Sequence, residues 1–187
     1  MGTFNSAVIT SFALLTVLGQ VLSVVLLLVL LISRFLPKNK SLAGGFTKKI
    51  TKFITEYYAI CILVVSSIAT LGSLTFSEVL NFNPCILCWY QRIFMYPLVI
   101  ISGIALLTFD AKAKKYILSL SVIGFLIALY HVLLQFFPEI LKCTDEVAKC
   151  STKQFATFGY ITIPVMSLTA FLILILISFL NSNSSKK

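Results

Sequence analysis

The sequence predicts an all-α integral membrane protein whose helices cross the bilayer five times. Three observations support this fold class. Of the 187 residues, 59% are hydrophobic and 11% are charged, whereas soluble domains are about 45–50% apolar and about 25% charged. Five apolar runs are each long enough to cross a bilayer, which takes about 20 residues of helix. The basic residues cluster between alternate runs, as they do in the cytoplasmic loops of membrane proteins.

These runs define the predicted membrane-spanning segments, because an uninterrupted apolar run in lipid satisfies its backbone hydrogen bonds as a helix. Segment 1 lacks the basic start of a signal peptide and exceeds its apolar stretch of about 7–15 residues, so we expect a retained helix. The predicted segments are Ala7–Leu36, Phe53–Phe76, Ile86–Phe109, Tyr116–Phe137 and Ile161–Leu180. The predicted organisation is an N-terminal transmembrane helix at 1–37, a basic cytoplasmic linker at 38–52, a four-helix domain at 53–181 and a cytoplasmic tail at 182–187.

The distribution of charge predicts the orientation in the membrane. Eleven of the 15 Lys and Arg residues follow segments 1, 3 and 5. The link from segment 2 to segment 3, Ser77–Pro84, has none, and the link from segment 4 to segment 5 is near neutral. By the positive-inside rule, the N-terminus and these two links lie outside and the C-terminus is cytoplasmic. The basic residues do not line a face interleaved with aromatic residues, so the net charge of +9 does not indicate nucleic-acid binding.

Four of the five cysteines fall in or beside the two predicted outer links. Cys85 and Cys88 form a C-x-x-C motif at the start of segment 3, and Cys143 and Cys150 lie in the link before segment 5. Cys61 lies inside segment 2, where a buried packing role is expected. Outside the cytoplasm conditions are oxidising, so disulfides can persist there.

The paired cysteines allow three interpretations. Two structural disulfides would suit Cys143 and Cys150, but a disulfide that closes so small a loop as Cys85–Cys88 stabilises a fold weakly. The C-x-x-C spacing is instead typical of redox-active thiol pairs. A zinc site would suit the C-x-x-C half, but the C-x6-C spacing is unusual for zinc and the lone histidine belongs to segment 4, so no metal site is predicted.

Two ionisable residues near the C-x-x-C motif are candidates for the same chemistry. Pro84 stops the helix from extending backwards, so Cys85 and Cys88 should lie in its first turn, where the helix dipole favours a thiolate. Arg92 lies on the helical face of Cys88 and is either a snorkelling residue or a cation that faces Cys88 and a bound cofactor. His131, near the outer end of segment 4, is either a proton donor or lining residue of a cofactor pocket, or a hydrogen-bonded packing residue.

The stretch Asn83–Arg92, with its C-x-L-C-x-Y-x-R pattern, resembles the DsbB/BdbC family of membrane thiol:quinone oxidoreductases. The second cysteine pair, Tyr130-His131 and the helix order support the resemblance, which covers segments 2 to 5. Segment 1 has no counterpart in the usual four-helix members, and Cys143 and Cys150 are closer together than in the best-known branch. The resemblance therefore implies a four-helix transmembrane bundle of DsbB type with one extra N-terminal transmembrane helix.

The resemblance also implies an electron relay in a bacterial cytoplasmic (inner) membrane. A reduced DsbA-like thioredoxin-fold oxidase would attack the Cys143–Cys150 disulfide, with Cys143 forming the mixed disulfide. Electrons would pass to Cys85 and Cys88, and then to a membrane quinone, ubiquinone or menaquinone, bound at Cys88, Arg92 and His131. This transfer would require the Leu141–Tyr160 loop to move.

Two rival functions are considered from the sequence, and the location of both cysteine pairs on one side of the membrane argues against the second. The first is a non-catalytic membrane assembly factor or channel subunit with disulfide-stapled outer loops. The second is an exporter of reductant, which would place cysteines within its helices, where only Cys61 lies.

Overall fold

The computed structural model describes residues 2–35, 42–108, 110, 112–137 and 154–184. Within these ranges the chain is almost entirely helical. Its elements are α1 (Gly2–Phe35), α2 (Leu42–Glu56), α3 (Tyr58–Leu74), a π-helical turn (Thr75–Val79), α4 (Ile86–Thr108), α5 (Ala113–Phe136) and α6 (Ile163–Ser184). Cys143 and Cys150, the residues 38–41 of the predicted linker and the end of the predicted tail, 185–187, lie outside the described residues.

Among the described residues, five helical stretches are long and apolar enough to cross a membrane. They are Phe4–Ile32, Tyr58–Val79, Ile86–Thr108, Ala113–Phe136 and Ile163–Asn181. Each coincides with one predicted segment to within a few residues at either end. The predicted all-α membrane fold with five spans is therefore confirmed.

Four of these helices, α3, α4, α5 and α6, form a closed ring in which each packs against the next and α6 packs against α3. The side chains of Ile62, Leu98, Ile117 and Phe171 are fully buried inside the ring. Helix α1 lies outside the ring and packs mainly along α6. The arrangement confirms the four-helix bundle with one additional N-terminal helix.

Most of the predicted basic linker forms the amphipathic helix α2. Its apolar side chains recur at helical spacing, and Thr47 and Ile54 are buried, with Ile50 packed against the core. The lysines Lys48 and Lys52 point away and are exposed. Helix α2 packs against α6 and α1, so the linker is part of the folded structure. At the other terminus, α6 continues to Ser184 and includes the first residues of the predicted tail.

The segments 80–85 and 154–162 meet at one end of the bundle, which we call the cysteine end. The side-chain amide of Gln154 donates a hydrogen bond of 2.9 Å to the carbonyl oxygen of Asn83. An aromatic cluster lies beside this contact. The ring centroids of its contacting pairs are 5.4–6.3 Å apart, and its members are Phe12, Phe76, Phe82 and Phe155. The opposite end, which carries α2 and Lys112, is the lysine end.

Candidate redox site

Cys85 and Cys88 lie at the start of α4, as the sequence predicts. The carbonyl oxygen of Cys85 accepts a hydrogen bond of 3.2 Å from the backbone N–H of Trp89, which makes Cys85 the N-cap residue. Cys88 follows in the first turn. Their Sγ atoms are 3.5 Å apart, so the two thiols are in contact without being joined in a disulfide. Both side chains are half-buried, which leaves the pair within reach of a second thiol or an acceptor.

His131 of α5 lies directly beside this pair. It is only 2% exposed, and its Nε2 atom is 3.7 Å from the Sγ atom of Cys85. On its other side, the Nε2 atom of Gln91 lies 2.9 Å from Nδ1 of His131. Since an amide nitrogen is a donor, Nδ1 accepts this hydrogen bond and the ring proton of a neutral imidazole resides on Nε2. Gln91 thus orients an imidazole N–H towards the sulfur of Cys85.

In the described part of the chain, the side chains that could together hold a metal ion are those of Cys85, Cys88 and His131. The two sulfur atoms and a ring nitrogen of His131 all lie within 4.8 Å of one another. Thiolate and imidazole are the common ligands of zinc, which in structural sites takes four ligands. The described residues provide three such ligands. The expectation that this chain has no metal site stays a prediction.

Arg92 is buried and anchored to the neighbouring helix. Its Nε and Nη2 atoms donate hydrogen bonds of 2.9 Å each to the hydroxyl and carbonyl oxygens of Ser73 in α3. The guanidinium carbon lies 5.2 Å from the ring centroid of Trp89. Within the described ranges, the third nitrogen, Nη1, has no protein partner. A side chain 9% exposed and held in this way is not snorkelling to the interface, which favours the second interpretation of Arg92.

The larger of two cavities beside the cysteines has a volume of about 320 Å³ and lies between α1, α3, α4 and α6. Cys88 and Arg92 both line it, as expected for residues four apart on one helical face. The rest of the lining is mostly apolar; it includes Val65, Ile68, Ala69, Gly72, Met95, Tyr96, Met166, Ala170 and Ile173. A cation and a thiol therefore border a mostly apolar chamber of the size of a small-molecule site.

The smaller cavity, of about 290 Å³, lies at the cysteine end. Cys85, Cys88 and His131 line it, together with Gln135 and Thr162. The Oε1 atom of Gln135 and the hydroxyl of Thr162 are buried and have no hydrogen-bond partner among the described residues. Buried polar atoms normally have partners, so these two favour occupation of the cavity by a polar group.

The structure thus separates the residues that the sequence assigned to one cofactor pocket. Cys88 lines both cavities, Arg92 lines the larger one, and His131 is among the lining residues of the smaller one only. That His131 binds the cofactor stays a prediction, and its Nε2 atom lies 3.7 Å from the Sγ atom of Cys85. Cys61 is half-buried in the packing around the core and lines neither cavity, as expected for a packing residue.

Several site residues were missed by the sequence reasoning. Gln91 and Gln135 carried a usable signal, because an amide side chain inside an apolar segment needs a partner there. Ser73 carried none, since serines in membrane helices commonly bond to their own backbone. The α1 residues that line the larger cavity were missed because segment 1 lies outside the stretch that resembles a known family.

Comparison with known proteins gives a consistent result. Residues 55–181 match the family model of the disulfide bond formation protein DsbB. The chain is 49% identical over 116 residues to the disulfide bond formation protein C of Bacillus subtilis, covering 60% of this chain and 83% of that protein. It is 43% identical over 120 residues to a probable disulfide formation protein of Chlamydia muridarum, covering 64% of this chain and 88% of the relative. A probable disulfide formation protein C 2 of Bacillus cereus is 35% identical over 138 residues, which are 73% of this chain and 99% of the relative. No solved structure matches the chain significantly.

Proposed function

The chain belongs to the DsbB family of disulfide bond formation proteins, and on this basis we propose that it reoxidises an extracytoplasmic DsbA-like thiol oxidase and delivers the electrons to a membrane quinone. Family membership and the five spans make it a multi-pass membrane protein of disulfide bond formation. The partner, the acceptor and the roles of individual residues are the proposal.

One observation carries this proposal. Cys88 lies between two chambers of different character, an apolar one shared with Arg92 and a more polar one shared with Cys85 and His131. A relay needs this arrangement, because a polar loop must reach the dithiol from one side and a lipid-soluble acceptor must reach it from the other side. A merely structural disulfide needs neither chamber.

The proposed relay has three exchanges, each of which conserves electrons and protons. First, a thiol of the partner oxidase attacks the sulfur of Cys143 in the Cys143–Cys150 disulfide and forms a mixed disulfide. The second thiol of the partner then displaces Cys143, so the partner leaves as a disulfide and the loop pair becomes a dithiol. The loop dithiol then reduces a Cys85–Cys88 disulfide and is itself reoxidised. Finally, the Cys85–Cys88 dithiol closes to a disulfide, and its two electrons and two protons go to the quinone, which leaves as quinol.

The residues around Cys85 support the second exchange. A thiol that leaves a disulfide departs as a thiolate, and exchange is faster when that thiolate is stabilised. The imidazole N–H of His131, oriented by Gln91, faces the sulfur of Cys85 and can donate to it. Gln154 and Phe155, in the described residues that follow the loop, line the polar cavity at this side together with Cys85.

The residues around Cys88 support the third exchange. Ser73 fixes two nitrogens of Arg92, so the guanidinium borders the larger cavity without reorganising when charge develops there. A quinone ring would be held beside Cys88 by this cation and by apolar walls. The quinone supplies a two-electron acceptor that stays in the membrane. The volume of about 320 Å³ and the apolar lining fit such a molecule.

The orientation follows from the same chemistry. Exported proteins gain disulfides on the far side of the cytoplasmic membrane, where thiols can remain oxidised. The cysteine end therefore faces outwards, and the lysine end, with exposed Lys48 and Lys52, faces the cytoplasm. The N-terminus is then outside and the C-terminus inside.

The decisive experiment supplies the purified protein with a reduced thioredoxin-fold oxidase and a quinone, and follows quinone reduction. The wild-type protein should turn over, and Cys88→Ser should not. Cys61→Ser is the matched control, because Cys61 lies in the same membrane bundle but lines neither cavity, and it should turn over normally. Absence of reduction with ubiquinone and menaquinone analogues would support the non-catalytic assembly or channel subunit instead.

A further inference from the structure

Helix α1 forms one wall of the larger cavity, although it lies outside the residues 55–181 that match the family model. Six of its residues line the cavity opposite the redox site: Phe12, Leu15, Thr16, Leu18, Gly19 and Leu22. They span eleven residues of continuous helix, or about 15 Å over ten steps of 1.5 Å. The wall therefore extends well beyond the part of the cavity that Cys88 and Arg92 occupy.

The position of this wall is set by close packing on α6. A Cβ atom placed on Gly19 would lie 3.3 Å from the side chains of both Thr169 and Ile173, so only glycine lets the helices approach this far without adjustment. The hydroxyl of Tyr160 donates a hydrogen bond of 2.8 Å to the side-chain carbonyl of Gln20. Helix α1 is thus docked on the bundle through specific contacts.

On its other side, α1 faces α3 across the cavity. The two helices are not among the closely packed pairs of the described chain. Near the cysteine end Phe12 closes the gap, because its ring lies 2.9 Å from the place of a Cβ atom on Gly72 and its centroid is 5.4 Å from that of Phe76. Further along α1, no described contact of this kind bridges the two helices.

The gap opens sideways along this stretch. Leu15, Leu18 and Leu22 of α1 line the cavity and are 43%, 65% and 45% exposed, and Ile68 across the gap is 39% exposed. Residues that both line a cavity and remain exposed mark its mouth. Since these helices span the membrane, the mouth faces the acyl chains of the lipid.

From this geometry we infer that α1 builds a lateral groove, between itself and α3, that binds the isoprenoid tail of the quinone while the ring lies beside Cys88 and Arg92. The inference rests on the proposed function, which makes a membrane quinone the acceptor. The groove consists mainly of apolar side chains of the kind that bind a hydrocarbon chain, and its mouth opens to the compartment in which the tail resides. Helix α1 thereby adds selectivity for long-tailed quinones over tail-less ones.

Labelling tests the location of the tail without relying on turnover. The full-length protein in lipid bilayers is irradiated with a quinone that carries a photoreactive azide on its isoprenoid tail, and the labelled peptides are identified by mass spectrometry. Label should appear within Phe12–Leu22 and be lost when unlabelled long-tailed quinone competes. Competable label elsewhere in the chain, with none in α1, would overturn the inference.

A matched pair of substitutions tests the groove itself. Leu22→Trp places a large ring at the mouth, whereas Leu27→Trp makes the same change at a residue that is equally exposed, at 45%, but does not line the cavity. For Leu22→Trp the KM for a long-tailed quinone should rise about tenfold, an effect of the size that overfilling a packed site produces. Its KM for a tail-less quinone, and both KM values of Leu27→Trp, should stay at the wild-type level. Equal KM values for Leu22→Trp and Leu27→Trp with the long-tailed quinone would contradict the groove.

The outcomes separate this inference from the function on which it rests. Normal reduction of both quinone types with no tail label in α1 would overturn the groove and leave the proposed function intact. No reduction of either quinone and no competable label anywhere in the wild-type protein would overturn both.

Discussion

The Nε2 atom of His131 lies 3.7 Å from the Sγ atom of Cys85, and His131 lines the smaller cavity but not the larger one. An imidazole in this place can donate to a thiolate on Cys85, whereas Arg92 borders the cavity of Cys88. We therefore propose that the two ionisable residues near the C-x-x-C motif act on different cysteines. They should affect different steps of the relay, and kinetics can tell these steps apart.

His131→Asn should slow the exchange between the two cysteine pairs. The expected loss is about tenfold, the rate lost with a charge-assisted hydrogen bond of about 1.5 kcal/mol. In single-turnover experiments the loop pair should be reoxidised more slowly, while the KM for quinone is unchanged. A raised KM for quinone with normal exchange would place His131 at the acceptor instead, as the sequence predicted.

Arg92→Ala should have the converse effect. Without the guanidinium the larger cavity loses its cation, so the KM for quinone should rise by about tenfold or more, in line with the loss of one hydrogen bond to a charged group. Ser73→Ala should give a smaller rise, because it removes one of the two contacts that hold Arg92 in place. Exchange between the cysteine pairs, measured without quinone, should be normal in both variants. An unchanged KM in Arg92→Ala would contradict the role proposed for this residue.

Cys150→Ser should trap the partner oxidase. Supplied with the oxidised form of the oxidase, the Cys143 thiolate of this variant attacks the partner's disulfide and releases one partner thiol. Without the Cys150 thiol, which would displace the partner and close the loop disulfide, the mixed disulfide should accumulate on non-reducing electrophoresis. Cys143→Ser serves as the comparison and should accumulate little. Accumulation of the complex in Cys143→Ser and not in Cys150→Ser would show that Cys150, and not Cys143, forms the mixed disulfide.

Accessibility to a membrane-impermeant thiol reagent should reveal the orientation. In a variant whose natural cysteines are serine, Ala156→Cys at the cysteine end should be labelled in intact cells, and Asp110→Cys at the lysine end should be labelled only after lysis. Both positions are exposed in the structure, so their difference reports the side of the membrane. Labelling of Asp110→Cys alone in intact cells would invert the topology.

Much of this fold could be predicted because the bilayer imposes simple rules on the sequence. The length and low polarity of the apolar runs predicted the five spans, and Pro84 with the C-x-x-C motif indicated where α4 begins. The amphipathic α2 was also accessible, since Thr47, Ile50 and Ile54 recur at helical spacing. The prediction of a linker rests on the charge of its lysines and not on this apolar spacing.

The pairing of helix faces could not be predicted in the same way. In a soluble helix an apolar stripe marks the buried face, but lipid is as apolar as leucine, so the faces of α1 look alike in sequence. That Gly19 packs on Thr169 and Ile173, and that Leu22 borders a cavity while Leu27 does not, depends on the shapes of partners distant in the chain. The position of His131 beside Cys85 depends likewise on the rotation of α5 relative to α4. The membrane spans were therefore easier to predict than the placement of side chains within the bundle.

Gly124 provides a test of the bundle that is independent of redox chemistry. A Cβ atom at this position in α5 would lie 2.3 Å from two ring atoms of the fully buried Phe171 in α6, so α5 and α6 could not keep their separation. Gly124→Ala should destabilise the protein by about 1–3 kcal/mol, the usual cost of overpacking a close contact. Gly103→Ala is the matched control, because a Cβ atom in α4 there would meet nothing within 4 Å. In that variant the higher helix propensity of alanine should leave stability unchanged or raise it by up to about 1 kcal/mol. Thermal unfolding in detergent should thus give a lower midpoint temperature for Gly124→Ala than for Gly103→Ala. Equal midpoint temperatures would contradict the close packing of α5 on α6.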